Sequence, residues 1–111
     1  MNLKKDFIKN VLKIKQSHSF KTSSEDLIGF WFKRVEGEAL SLILKDKNIE
    51  SSTESPCLKE YKKNKELSRE QAHASIIIKW EKEFNEKKSK EILNALRYGV
   101  KKLRDISGWN K

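Results

Sequence analysis

Apolar residues near the C-terminus recur at the spacing of an α-helix, and this pattern constrains the fold of the chain most strongly. The residues that share one helical face are Ile92, Leu93, Leu96, Val100 and Leu103. An apolar stripe of this kind predicts an amphipathic helix, here from about residue 89 to residue 105. The first part of the chain has the same spacing at Leu3, Phe7, Val11 and Ile14, which predicts a helix over 3–16.

Residues 25–46 are the most apolar part of the chain and are expected to supply most of the core. Their apolar side chains do not alternate with a period of two, so the pattern favours one helix. Gly29 and Gly37 weaken that helix by about 1 kcal/mol each relative to Ala. A hairpin that turns near Glu36 and Gly37 is the competing interpretation.

The second half of the chain begins with a break at residues 46–56, where hydroxyl side chains and the only proline predict a mobile loop. A short helix is expected over 57–66. A capping box at residues 68–71 then predicts a helix from 69 to about 86. Together these segments predict an all-α fold, a single compact bundle of four to five helices that forms one domain over residues 1–111.

Composition limits the chemistry and the location that the sequence predicts. The single cysteine, Cys57, excludes an intramolecular disulfide, and no apolar run approaches the ~20 residues of a membrane span. We therefore expect a cytoplasmic protein. His18 and His73 have no partners at metal-ligand spacing, and no nucleophile stands near a base, so neither a metal, a cofactor nor an enzyme activity is predicted.

Positive charge is concentrated at the two ends of the chain, which carries a net charge of +9. Residues 1–22 contain six lysines and one acid, and residues 87–111 contain eight basic residues and two acids. Two cationic helices beside a neutral middle predict a surface that binds a polyanion. The predicted nucleic-acid-binding residues are Lys5, Lys9, Lys13, Lys87, Lys88, Lys90, Asn94, Arg97, Lys101, Lys102 and Arg104.

The last helix has the clearest basic stripe. At 100° per residue, Lys90, Arg97, Lys101 and Arg104 fall within about 60° of one another, and we expect no acid to interrupt them. Such a stripe fits contacts with phosphates that do not depend on base sequence. Two alternatives fit less well: a helix-turn-helix reader formed by 69–86 and 88–105, and an N-terminal helix on an anionic membrane. No membrane partner is predicted. Trp109, beyond the helix, is expected to seal the bundle or to contact a neighbouring subunit.

A strongly basic, one-domain helical bundle with Lys5, Lys9 and Lys13 on its first helix and the basic stripe on its last resembles the small subunits of CRISPR effector complexes. The resemblance covers organisation and includes no motif. It implies a non-catalytic subunit that contacts RNA or DNA backbones, neighbouring protein subunits and further copies of itself. The alternative is a small inhibitor or adaptor, of the kind that phages or plasmids encode, whose basic surface docks on an acidic protein.

Overall fold

A four-stranded antiparallel sheet forms the centre of the molecule, so the chain has a mixed α/β fold and the all-α prediction is wrong. The computed structural model describes residues 2–22, 24–53 and 67–107. The strands are β1 (Ser17–Phe20), β2 (Leu27–Phe32), β3 (Ser51–Ser52) and β4 (Ser75–Lys79). Their spatial order is β1-β2-β4-β3.

The two central strands explain why the apolar pattern was misleading. In β2, Ile28 pairs with Ile78 of β4 and Phe30 pairs with Ile76, and these four side chains are buried. Ile77, on the opposite face of β4, is also buried. A strand that is covered on both faces reads as a continuous apolar run without a period of two.

Three helices cover one face of the sheet. These three are α1 (Leu3–Val11), α2 (Gly37–Asp46) and α4 (Glu86–Ser107). The described residues contain one more helix, the short α3 (Arg69–His73). The long α4 packs against both α1 and α2 and therefore lies between them. The core forms where this layer meets the sheet, with Phe7, Leu40 and Leu96 packed against the cluster that contains Phe30 and Phe32.

The predicted helices over 3–16 and 25–46 are both too long. The first ends at Val11, and the chain turns through Gln16, whose φ of 56° lies in the left-handed region, into β1. The second is a strand, a turn and a helix, because β2 ends at Phe32 and α2 begins at Gly37. The hairpin interpretation placed a turn near the right position but not the helix that follows it.

The predicted helix over 69–86 ends after five residues. Its capping box is confirmed, since Ser68 Oγ accepts from the Gln71 backbone N–H and Gln71 Oε1 accepts from that of Ser68. The β-branched run from 76 to 78 then forms β4. The predicted loop over 46–56 is also partly ordered, since Ile49 is buried and β3 pairs with β4.

Three predicted features lie outside the described residues: the helix over 57–66, the last residues of the loop over 46–56, and Trp109. Within residues 2–22, 24–53 and 67–107, no helix is long and apolar enough to cross a membrane.

Candidate functional site

The basic residues of the two chain ends lie on neighbouring helices. A groove of about 310 Å³ runs between α1 and α4, and Lys9, Lys13 and Lys90 line it. Two acids, Asp6 and Glu86, line the same groove. The N-terminal and C-terminal basic segments therefore share one side of the molecule, which the sequence alone left open.

The exposed face of α4 continues the basic surface beyond this groove. Lys90, Arg97 and Lys101 are exposed and fall within about 40° of one another, with the exposed Asn94 beside them. From Lys90 to Lys101 the face is about 17 Å long. We call Lys90, Asn94, Arg97 and Lys101 the α4 stripe. It is long enough to follow several phosphates of a nucleic-acid strand.

Acidic residues interrupt the stripe more than the sequence analysis expected. Lys90 Nζ lies 3.5 Å from Glu86 Oε1, one helical turn before it, and both side chains are well exposed. Asp105 stands one turn after Lys101 in the same way. An exposed pair of this kind is worth at most about 1 kcal/mol and breaks readily when a stronger anion arrives. Lys90 therefore has an intramolecular competitor, while Arg97 has no acid three or four residues away.

Arg104 does not belong to the exposed stripe, and its burial argues against the predicted contact with nucleic acid. The side chain is only 4% exposed. Its three guanidinium nitrogens each donate to a backbone carbonyl oxygen: Nε to Lys33 at 3.0 Å, Nη1 to Lys15 at 2.7 Å and Nη2 to Gln16 at 3.3 Å. We call these three hydrogen bonds the Arg104 clasp. The clasp joins the turn after α1 to the turn after β2, and the burial of the side chain keeps the guanidinium away from a phosphate in solvent.

The position of Arg104 around the helix explains the difference. It lies about 40° from Lys90 on the side toward α1, and only about 20° from the buried Leu93. A long side chain at that boundary bends inward when carbonyl acceptors are available. Desolvation by burial lowers the pKa of the Arg104 guanidinium, but arginine stays protonated in proteins.

The remaining predicted residues are divided between the outer face and its edges. Lys5 and Lys87 are exposed. Lys88 is half-buried and lines a different groove, near β4, so it does not join the α4 stripe. Lys102 is exposed but points to the other side of α4, where it approaches the ring of Tyr98.

A second cluster on this side includes two residues outside the predicted set. Tyr98 is 50% exposed, and its ring centroid lies 4.7 Å from Lys47 Nζ and 5.7 Å from Lys102 Nζ. Lys47 follows the last residue of α2, within the predicted loop over 46–56, and nothing in the sequence places it near α4. A helical wheel of α4 places Tyr98 beside the stripe. That its ring is half exposed is known only from the structure.

The opposite face of the sheet carries a separate aromatic group. His18 stacks on Trp31 with ring centroids 4.2 Å apart, and the Phe20 ring lies against Gly29. The described residues contain no group of three His, Cys, Asp or Glu side chains that could hold a metal ion. The basic surface formed by α1 and α4 is therefore the best-supported candidate site.

Comparison with known proteins identifies the fold and no family. No family model and no curated protein sequence matches the chain. Among solved structures, a protein assigned as a sugar aminotransferase from Streptococcus pneumoniae, in its PMP form, matches 96% of this chain with a TM-score of 0.66 and 12% identity. A NifS-like protein matches 96% of this chain with a TM-score of 0.57 and 17% identity.

The chain spans only part of these proteins, 32% of the aminotransferase chain and 26% of the NifS-like chain. At such low identity the likeness shows that this sheet-and-helix arrangement occurs inside larger proteins, and it says nothing of activity. It also provides an α/β precedent for the fold where a helical bundle was expected.

Proposed function

We propose that this chain is a non-catalytic protein that binds nucleic-acid backbones independently of sequence, through the outer face of α1 and α4. The observation that carries the proposal is the shared side of the two basic chain ends, where Lys9 and Lys13 meet Lys90 in one groove. Besides Arg104, α4 carries six lysines and arginines against three acids. Such a surface attracts a polyanion over distances of about 10 Å and releases counterions when it binds.

A role in a larger ribonucleoprotein assembly is a further part of this proposal. The solved structures in which this fold occurs are three to four times longer than the chain, which agrees with a part that works beside other domains or subunits. The particular resemblance to CRISPR small subunits was to a helical bundle. Because the protein contains a sheet, its fold does not support that resemblance. That the chain is a CRISPR small subunit stays a prediction.

Replacing Arg97 and Lys101 together by Ala is expected to weaken binding to a generic nucleic acid at least tenfold at low salt. The plot of log K against log salt should also become shallower by about two, because each phosphate contact contributes close to one unit. Fluorescence anisotropy with a labelled oligonucleotide over a salt series measures both quantities. Both residues are exposed, so the melting temperature should change little.

A matched control removes the same charge from another part of the surface. Lys33 and Lys79 are exposed, and neither lies on α1 or α4. The double variant with Lys33→Ala and Lys79→Ala should keep the wild-type salt slope. Equal losses in the two double variants would mean that only net charge matters and would contradict a defined interface on α1 and α4.

An acidic protein is the second candidate partner, on a surface that extends to α2 and to the end of α4. Two exposed apolar side chains favour it, since Leu42 on α2 is 68% exposed and Ile106 on α4 is 74% exposed. Apolar anchors of this kind contribute to protein interfaces and give nothing to phosphates. A wild-type chain that shows no affinity for duplex or single strand at low salt, but co-purifies with an acidic protein, would favour this candidate.

A further inference from the structure

The groove between the end of α2 and the middle of α4 has the features of a small binding site. It has a volume of about 470 Å³ and is lined by Lys47, Ile49, Glu91, Asn94, Ala95 and Tyr98. This volume lies within the range of small-molecule pockets, roughly 300–1,000 Å³. Its wall combines an apolar floor, one half-exposed aromatic ring and a few polar groups, and these are the components that recognise a flat ring with polar edges.

Two ammonium groups lie over that ring, and one acid, Glu91, lines the same groove. Lys47 and Lys102 both approach Tyr98, and within the described parts of the chain neither forms an ion pair. Like charges repel, and an exposed cation–π contact compensates only weakly. The arrangement therefore becomes more favourable when an anion binds between or beside the two lysines.

We propose that this groove binds one nucleobase of a single-stranded nucleic acid. The base stacks on Tyr98 and displaces the ammonium groups of Lys47 and Lys102 from the ring to the flanking phosphates. The inference rests on the proposed function and extends it by naming the strand state. Aromatic side chains that alternate with cations along a groove are the usual device of single-strand binding. In a duplex the faces of each base are already stacked on its neighbours. Tyr98 therefore stacks on a duplex base only if that base is flipped out.

Two polar residues of the groove favour some bases over others. The Glu91 carboxylate only accepts hydrogen bonds, whereas the Asn94 amide both donates and accepts. A carboxylate pairs well with an exocyclic amine such as cytosine N4 and poorly with the thymine O4 at the same position. The groove should therefore prefer cytosine to thymine, while the phosphates, kept away from Glu91, lie near Lys47 and Lys102.

The test measures binding of the full chain to three probes: oligodeoxycytidylate and oligodeoxythymidylate of about 12 nucleotides, and a mixed-sequence duplex of equal length. We expect Tyr98→Ala to weaken binding to both single strands by roughly tenfold, because stacking on an aromatic ring contributes about that factor or more. Tyr98→Phe should retain binding, because it keeps the ring. Duplex binding should be unchanged in both variants.

Base preference supplies an independent readout. Wild-type protein should bind the cytidylate probe several-fold more tightly than the thymidylate probe, and Glu91→Gln should reduce that ratio toward one, because an amide can also donate to thymine O4. Tyr98 and Glu91 are both exposed, so thermal melting should show folded variants.

The outcomes separate this inference from the proposed function. If Tyr98→Ala leaves single-strand binding unchanged, or weakens single-strand and duplex binding alike, the stacking site is overturned while backbone binding by α1 and α4 stands. If the wild-type chain binds none of the three probes at low salt, both are overturned. A loss confined to single strands, with the ring-preserving variant unaffected, supports the site.

Discussion

Replacing Arg104 by Ala is expected to lower the free energy of unfolding by about 3 kcal/mol and the melting temperature by roughly 15 °C. The variant loses three charge-assisted hydrogen bonds. The carbonyls of Lys15 and Lys33 lose the Arg104 donor, while the Gln16 carbonyl still accepts from the Lys33 backbone N–H at 3.0 Å. Hydrogen bonds to charged groups contribute about 1.5–3 kcal/mol each, and rehydration of the freed carbonyls recovers part of the loss. Denaturant titration and calorimetry measure the change.

Arg97→Ala is the matched control, because it removes the same side chain from the exposed face of the same helix. Its free energy of unfolding should stay within about 0.5 kcal/mol of wild type, while its nucleic-acid affinity falls. Arg104→Lys keeps the positive charge but lacks the planar guanidinium with its several N–H donors. It should therefore be more stable than Arg104→Ala and less stable than wild type. A stable Arg104→Ala variant with a reduced salt slope would return Arg104 to the binding surface and contradict the clasp.

Gly37→Ala is expected to destabilise the protein by about 3 kcal/mol, because α2 begins in direct contact with the backbone of β4. A Cβ atom at residue 37 would lie 1.9 Å from the Ser75 carbonyl oxygen and 3.0 Å from Thr53 Oγ1. Ser75 is fully buried and its hydroxyl donates to the Ala72 carbonyl, so the strand cannot move away without breaking other contacts. Over-packing of this kind usually costs 1–3 kcal/mol, and a backbone clash lies at the upper end.

Gly99→Ala tests the same substitution where the obstacle is a side-chain end. Its Cβ would meet Leu40 Cδ1 at 2.5 Å, and a terminal methyl group can rotate aside. Alanine also improves the helix by about 1 kcal/mol, so the net change should stay within about 1 kcal/mol. Equal destabilisation by Gly37→Ala and Gly99→Ala would contradict the claim that the close backbone contact between Gly37 and Ser75 makes residue 37 the less tolerant position.

The sequence predicted α4 and the start of α1 well, because each has one apolar face and meets the sheet with that face only. It failed for β2 and β4, since burial on both faces removes the alternation that marks a strand. Ile76, Ile77 and Ile78 in succession were the remaining indication, because three neighbouring β-branched residues favour a strand over a helix. The periodicity of Trp80 and Phe84 with the isoleucines outweighed that indication.

Part of the candidate site could be found from sequence because it is local to one helix. The exposure of Arg97 and Lys101 follows from their position opposite the apolar stripe. The inward turn of Arg104 does not, since it depends on carbonyls 71 to 89 residues earlier in the chain. The same holds for Lys47, which approaches Tyr98 only because α2 packs against α4.

The clasp also bears on the order in which the molecule folds and unfolds. Arg104 reaches its acceptors only after the two turns and α4 have come together, and loops of this length close late. Contacts that are absent from the folding transition state affect the unfolding rate and leave the folding rate nearly unchanged. We therefore expect the clasp to slow unfolding and to leave the folding rate nearly unchanged, so that the Arg104→Ala variant unfolds faster but folds at close to the wild-type rate.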